Sequence, residues 1–314
     1  MTTVVIGEAL VDLAWHTGGA HVVPHPGGSP ANVAVGLHRL GQPAALMTCW
    51  GDDPPGDLVS AHLDSIGVTV HRLPSASGRT TIALAYLDDA TGSARYDFLA
   101  AWDPQDITLQ EGTTLVHTGS LAAVVEPGAT RIVETCHAHR SHPGRAVSVD
   151  LNVRPAALPD RDAYRARVER LVAAADLVKA SDEDLAWLYP DLTPEAAARA
   201  LLALGPRLAV ITRGAQGATA LTAHHEITVP APPVHVVDTI GAGDAFQACL
   251  LDTLLQPDGT LHIPATAAEL ESALRRCVTA GALTCARAGA QPPTSEEITA
   301  ALTAEDQSLA PTTR

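Results

Sequence analysis

With 314 residues and a formal net charge of −15, the chain is long enough to bury a large core and too acidic for a nucleic-acid surface, which needs basic charge and counterion release. No apolar run reaches the roughly 18–20 residues of a membrane span, and the N-terminus MTTVVIGEALVDLA lacks the basic start of a secretion signal, so the expected location is cytoplasmic, with neither nucleic acid nor membrane as partner. The cysteines, Cys49, Cys136, Cys249, Cys277 and Cys285, show no C-x-x-C spacing and are odd in number, which fits buried thiols in a reducing compartment better than a disulfide framework.

Val4–Gly7 reads as a first strand, followed by Leu13–Pro26, in which apolar and polar residues alternate. A helix is expected over Ala31–Leu40, opened by Ser29 as N-cap and Pro30 at its first position and stopped by Gly41. Ala44–Cys49 and Val68–Arg72 read as strands around a helix at Leu58–Ile66. Thr80–Leu99 alternates again, with DDATG as a hairpin turn between Leu87 and Arg95. Short apolar strands follow at Leu115–His117, Ala146–Leu151, Leu177–Lys179 and Leu208–Thr212, separated by helical stretches. Ala242–Leu255 and Leu270–Ala286 read as long Ala/Leu helices, and the tail from Thr303 as disordered. This βαβα rhythm predicts an α/β fold, with a mostly parallel sheet covered by helices on both faces. The two alternating segments, about 13–26 and 78–102, predict a small β-lid inserted into it. Lys179, the only lysine, reads as a consequence of Ala/Arg-rich composition and carries no assigned role.

The stretch DTIGAGDAF, Asp238–Phe246, sets a glycine-rich turn between a β-branched run and an apolar helix. Backbone N–H groups of Gly241, Ala242 and Gly243 at a helix start suit a small, highly charged anion. Asp244 beside them can take a proton from a hydroxyl that attacks a phosphoryl group, or it can simply complement the helix dipole. A dinucleotide-binding turn is weakened because the third glycine of G-x-G-x-x-G falls on Phe246. The G-x-x-x-x-G-K-[ST] loop and the protein-kinase signatures are absent.

Taken together, GGSPANVAVGLHRLG (Gly27–Gly41) and DTIGAGDAFQACLL (Asp238–Leu251) resemble the two signature regions of the ribokinase-like (PfkB-type) carbohydrate kinases, and the fructokinase branch most closely. The resemblance runs from about Val4 to Thr294. It implies one ribokinase-like kinase domain over 1–314: a three-layer α/β/α fold with a mostly parallel central sheet plus the small β-lid. The implied activity is transfer of the γ-phosphoryl group of ATP to a hydroxyl of a ketohexose, with fructose foremost.

By the same resemblance, Asp244 is the base, and Gly241, Ala242 and Gly243 form the anion hole. Asp12 in GEALVD, with Gly28 and Asn32, holds the sugar. TRGAQG, with Thr212, Gly214 and Gly217, lines the ATP site. The family's N-x-x-E element, associated with Mg²⁺ and phosphate, falls on SDED, so Ser181 replaces Asn, and Asp184 or the neighbouring Glu183 takes the metal role. Asp238 and the backbone around 288–291 would hold a monovalent cation such as K⁺. Arg154 in DLNVRP would pair with a carboxylate or phosphate, or with nearby carbonyls. A homodimer through the lid fits the resemblance. The alternatives are a 2-keto-3-deoxygluconate kinase using Arg154 and, from another class, a non-catalytic sugar or nucleotide sensor. A nucleoside acceptor is disfavoured because the lid segments show no obvious aromatic cluster to stack a base.

Overall fold

The computed structural model describes residues 3–87 and 94–309; the expected DDATG turn and residues 310–314 lie outside them. In chain order the strands are β1 (Thr3–Ile6), β2 (Leu10–His16), β3 (Val22–Gly27), β4 (Ala44–Thr48), β5 (Thr69–Arg72), β6 (Thr81–Leu87), β7 (Ala94–Leu99), β8 (Leu115–Gly119), β9 (Ala146–Asp150), β10 (Leu177–Ser181), β11 (Leu208–Thr212), β12 (Ala218–Leu221) and β13 (Glu226–Val229). The helices are α1 (Ser29–Arg39), α2 (Pro54–Ile66), α3 (Gly128–Arg140), α4 (Arg161–Val172), α5 (Asp182–Leu188), α6 (Pro194–Leu202), α7 (Ala242–Leu254), α8 (Ala267–Cys285) and α9 (Ser295–Leu309).

Nine strands form one sheet in the order β13-β12-β11-β10-β9-β8-β1-β4-β5. From β11 to β5 the neighbours are parallel, and β12 and β13 add an antiparallel edge that the apolar pattern does not reveal. Strand residues alternate between two cores, as a sheet buried on both faces requires. Val4, Ile6, Val147, Val149, Val178 and Ile211 pack with α3, α4, α5 and α6, whereas Val5, Ala146, Leu177 and Val210 pack with α1, α2, α7, α8 and α9. The expected three layers are therefore present.

The two alternating segments pair with each other in a four-stranded sheet, β3-β2-β6-β7. Asp53, the N-cap of α2, roots it: one carboxylate oxygen accepts from the Gly56 amide at 2.9 Å and the other from the Thr80 amide at 3.0 Å. α2 accordingly starts at Pro54, before the expected Leu58.

Two expectations are corrected. Ser29 is not the N-cap of α1; Gly28 holds that position with φ +108°, and no side chain caps the helix. The tail is helical through Leu309, because Ile298 is buried under α8 and Arg275 reaches Glu305 and Asp306 at 3.1 and 2.7 Å. All five cysteines are free, four buried and Cys285 partly so. Among the described residues no helix is long and apolar enough to cross a membrane.

A Cβ on Gly36 of α1 would lie 2.5 Å from the Cβ of Ala248 on α7, so only glycine lets these helices cross so closely. Four residues earlier on each helix stand Asn32 and Asp244, one turn up on the same faces. The glycine contact therefore delivers the N-terminus of α1 to the N-terminus of α7, at the carboxyl ends of the parallel strands, where open α/β sheets bind ligands.

Candidate active site

α7 begins at Ala242 after Gly241, whose φ of +75° is left-handed and which abuts Ala290 so closely that a Cβ would lie 2.6 Å from that side chain. Both facts require glycine. Of the three amides expected to form an anion nest, that of Ala242 lies 3.3 Å from the Thr239 carbonyl oxygen. Those of Gly241 and Gly243 have no protein acceptor among the described residues. The nest is thus narrower than expected: two amides are left without a protein acceptor, and the third is shared with its own turn.

Asp244 stands in the first turn of α7, where the helix dipole favours its charge. Ser29 Oγ donates to its Oδ1 at 2.6 Å and Asn32 Nδ2 to its Oδ2 at 2.8 Å. Burial pushes its pKa up; the bonds from Ser29 and Asn32 and the charge of Lys179 pull it down, while Asp150 adds to the rise. The result is an oriented carboxylate made a stronger base by its surroundings, as proton abstraction requires. Ser29→Ala is expected to lower kcat about tenfold, the worth of one hydrogen bond to a charge. It should also move the acid limb of the kcat–pH profile to higher pH, because removing the donor raises the Asp244 pKa and the base is active only above it. A pH series on the variant checks both.

Asp12 lies on β2, close enough to Asp244 to feel its charge. Burial raises its pKa to about 6, against the pull of Arg154 and His25. An ionised Asp12 accepts hydroxyl hydrogens and a protonated one does so poorly, so the KM for sugar is expected to rise as pH falls through about 6. Initial rates between pH 5 and 8 would check this. Gly28 belongs here for steric reasons: with φ +108°, a Cβ would sit 2.5 Å from the Glu8 carbonyl oxygen. Asn32, expected on the sugar, has its side-chain amine on Asp244, which leaves its carbonyl oxygen for a ligand.

Cross-strand register puts Phe98, Ala83, Asp12 and His25 in one row of the small sheet, with Tyr96, Ala85, Ala14 and Val23 in the next. Tyr96 and Phe98 stack, their ring centroids 6.2 Å apart. The face that carries Asp12 therefore has an aromatic pair, contrary to the expectation that these segments lack one.

Arg154 keeps to its own loop: Nη1 donates to the carbonyls of Val153 at 3.0 Å and Asn152 at 3.4 Å, while its charge acts on Asp12. Sequence reasoning missed Glu8, which is buried with its pKa raised to about 7. Its carboxylate accepts from the amides of Ala122 at 3.1 Å and Leu121 at 3.4 Å. It thereby fixes the turn containing Ser120, which has φ +56° and accepts from Asn152 Nδ2 at 3.3 Å.

Of the residues expected to hold cations, Asp184 and Asp238 each accept backbone amides at both carboxylate oxygens. Asp184 Oδ1 accepts from the Val153 amide and Oδ2 from the Ser181 amide, both at 2.8 Å, so it completes a capping box with Ser181. Glu183 is exposed on the surface of α5. Asp238 ties its loop to the 288–291 turn, Oδ1 accepting from Ile240 at 3.0 Å and Oδ2 from Gly289 at 2.8 Å. Among the described residues no three His, Cys, Asp or Glu side chains gather into a metal site.

Thr212 ends β11 beside Ser181 of β10, so both stand at the carboxyl edge of the sheet. Gly214 has φ +51° and open space around it. Gly217 has φ +92°, and a Cβ there would lie 2.0 Å from the Val229 carbonyl oxygen. This turn returns the chain into β12.

The model of the pfkB family carbohydrate kinases matches residues 2–297. The fructokinase of Rhizobium leguminosarum bv. trifolii is 34% identical over 283 residues, 86% of this chain and 84% of that protein. A fructokinase double mutant from Vibrio cholerae O395, solved in a fructose-, ADP- and potassium-ion-bound form, matches with a TM-score of 0.80 at 29% identity, covering 96% of this chain and 98% of its own. The fructokinase of Xylella fastidiosa with bound ATP gives a TM-score of 0.81 at 25% identity, over 97% and 99%.

Proposed function

The chain belongs to the pfkB family of carbohydrate kinases, and from that premise we propose that it transfers the γ-phosphoryl group of ATP to a hydroxyl of fructose. The observation that carries this reading is the Asp244 carboxylate, oriented by Ser29 and Asn32 at the rim of a two-amide nest and opposed by Asp12. Fructose bound to the Vibrio relative and ATP bound to the Xylella relative support the choice of acceptor and donor.

In this mechanism Asp12, Gly28 and the Asn32 carbonyl hold the sugar so that one hydroxyl approaches Asp244. That carboxylate takes the hydroxyl proton as the oxygen attacks the γ-phosphorus. The bond from γ-phosphorus to the bridging oxygen breaks, and ADP leaves with the electron pair. The Gly241 and Gly243 amides and the positive end of α7 stabilise charge on the moving group. Thr212, Gly214, Gly217 and Ser181 border the nucleotide at the carboxyl edge of the sheet. The small sheet acts as a lid that excludes water, with Tyr96 and Phe98 over the sugar. A cation would bind as well, and the potassium-ion-bound form of the Vibrio relative supports this. On the face opposite Asp12, exposed Trp15, Val22 and Leu99 support docking of a second copy.

ADP release screened over fructose, ribose, 2-keto-3-deoxygluconate and adenosine tests the proposal. Fructose is expected to give the highest kcat/KM. Preference for the keto-acid would move the assignment to a sugar-acid kinase with Arg154 on the carboxylate. ATP binding with no stimulation by any acceptor would leave only a sensor.

A further inference from the structure

Lys179 stands alone as lysine in a chain that otherwise uses arginine, and it is only 4% exposed. Its Nζ lies 2.6 Å from Asp150 Oδ2, the two residues being register partners on β10 and β9. Such a pair is weak evidence for stability, since desolvating both charges offsets most of their attraction. A stabilising role alone therefore does not explain it.

What surrounds the pair points to the reaction. A Cβ built on Gly243 would come 3.8 Å from the Lys179 ammonium, so the charge lies immediately behind the anion nest. The charge of Asp150 acts on both Asp184 and Asp244 here, and Lys179 is the cation set against Asp150 and Asp244. Without it the ground beneath the nest would be entirely acidic and would repel phosphate. The other oxygen of Asp150 is buried and has no hydrogen-bond partner. At this buried position on β10 a compact ammonium takes less room than a planar guanidinium.

We propose that Lys179 is a positioning residue for phosphoryl transfer: gripped by Asp150, it fixes a positive charge behind the Gly241–Gly243 turn, where negative charge moves during the reaction. This rests on the sugar-kinase reading of the same site. Lys179→Met alone would strand a buried carboxylate, so the test compares Asp150→Asn with the double variant Asp150→Asn/Lys179→Met, neither of which carries that unpaired acid. Wild type is assayed alongside with the acceptor it turns over.

Between the two variants kcat is expected to fall about tenfold to a hundredfold, less than loss of a donor in direct contact costs, while KM for sugar stays within about threefold and the melting temperatures stay close. Equal kcat in the two variants overturns the inference. A parallel loss of kcat and of sugar affinity together with melting temperature also overturns it, since that marks a structural role. If wild type itself shows no sugar-stimulated ADP release, it is the sugar-kinase reading that falls, and the inference falls with it.

Discussion

Asp244→Asn is expected to lower kcat about a thousandfold, in the range that removal of a general base produces, while the dissociation constant for sugar changes less than about threefold. Asparagine keeps the shape of the side chain and can still accept from Ser29, so the junction of α1 and α7 stays packed through Gly36 and Ala248. What it cannot do is take a proton. Coupled ADP release measures the first quantity and titration calorimetry with sugar the second. Turnover near that of wild type in a folded variant would remove the base from the mechanism.

Asp12→Ala should act on the other parameter. An ionised carboxylate holding two sugar hydroxyls contributes two charged hydrogen bonds, each worth roughly 1.5–3 kcal/mol. Losing them should raise KM for sugar by at least about a hundredfold, with a smaller change in kcat. Asp12→Asn should fall between the two, because an amide still offers one acceptor. An unchanged KM in Asp12→Ala would exclude this residue from sugar binding.

Much of the architecture is legible in the sequence because a parallel sheet buried on both faces demands short, mostly apolar strands, and Val4–Gly7, Ala146–Leu151 and Leu208–Thr212 are of that kind. The antiparallel edge, β12 and β13, escapes because Glu226–Val229 is half exposed and too short for its alternation to stand out. The errors at the site have one physical root: residue type does not determine which hydrogen bond forms. A serine before a proline suits an N-cap, but Gly28 takes that place and leaves the Ser29 hydroxyl for Asp244. Asp184 carries the charge of a metal ligand, but nothing in residue type shows that its oxygens also accept the amides of Val153 and Ser181.

Lys179 is invisible in another way. Its singularity is plain in the composition, but the burial that gives this meaning is a tertiary property. The Tyr96–Phe98 pair, by contrast, could have been found, since two aromatics spaced by two on a strand must share a face.

A crystal structure with fructose and a non-hydrolysable ATP analogue measures the geometry on which the account depends. One fructose hydroxyl oxygen should lie about 2.6–3.2 Å from an Asp244 oxygen, with the terminal phosphoryl group within hydrogen-bond distance of the Gly241 and Gly243 amides. A hydroxyl directed away from Asp244, or a terminal phosphate seated elsewhere along the carboxyl edge of the sheet, would contradict it.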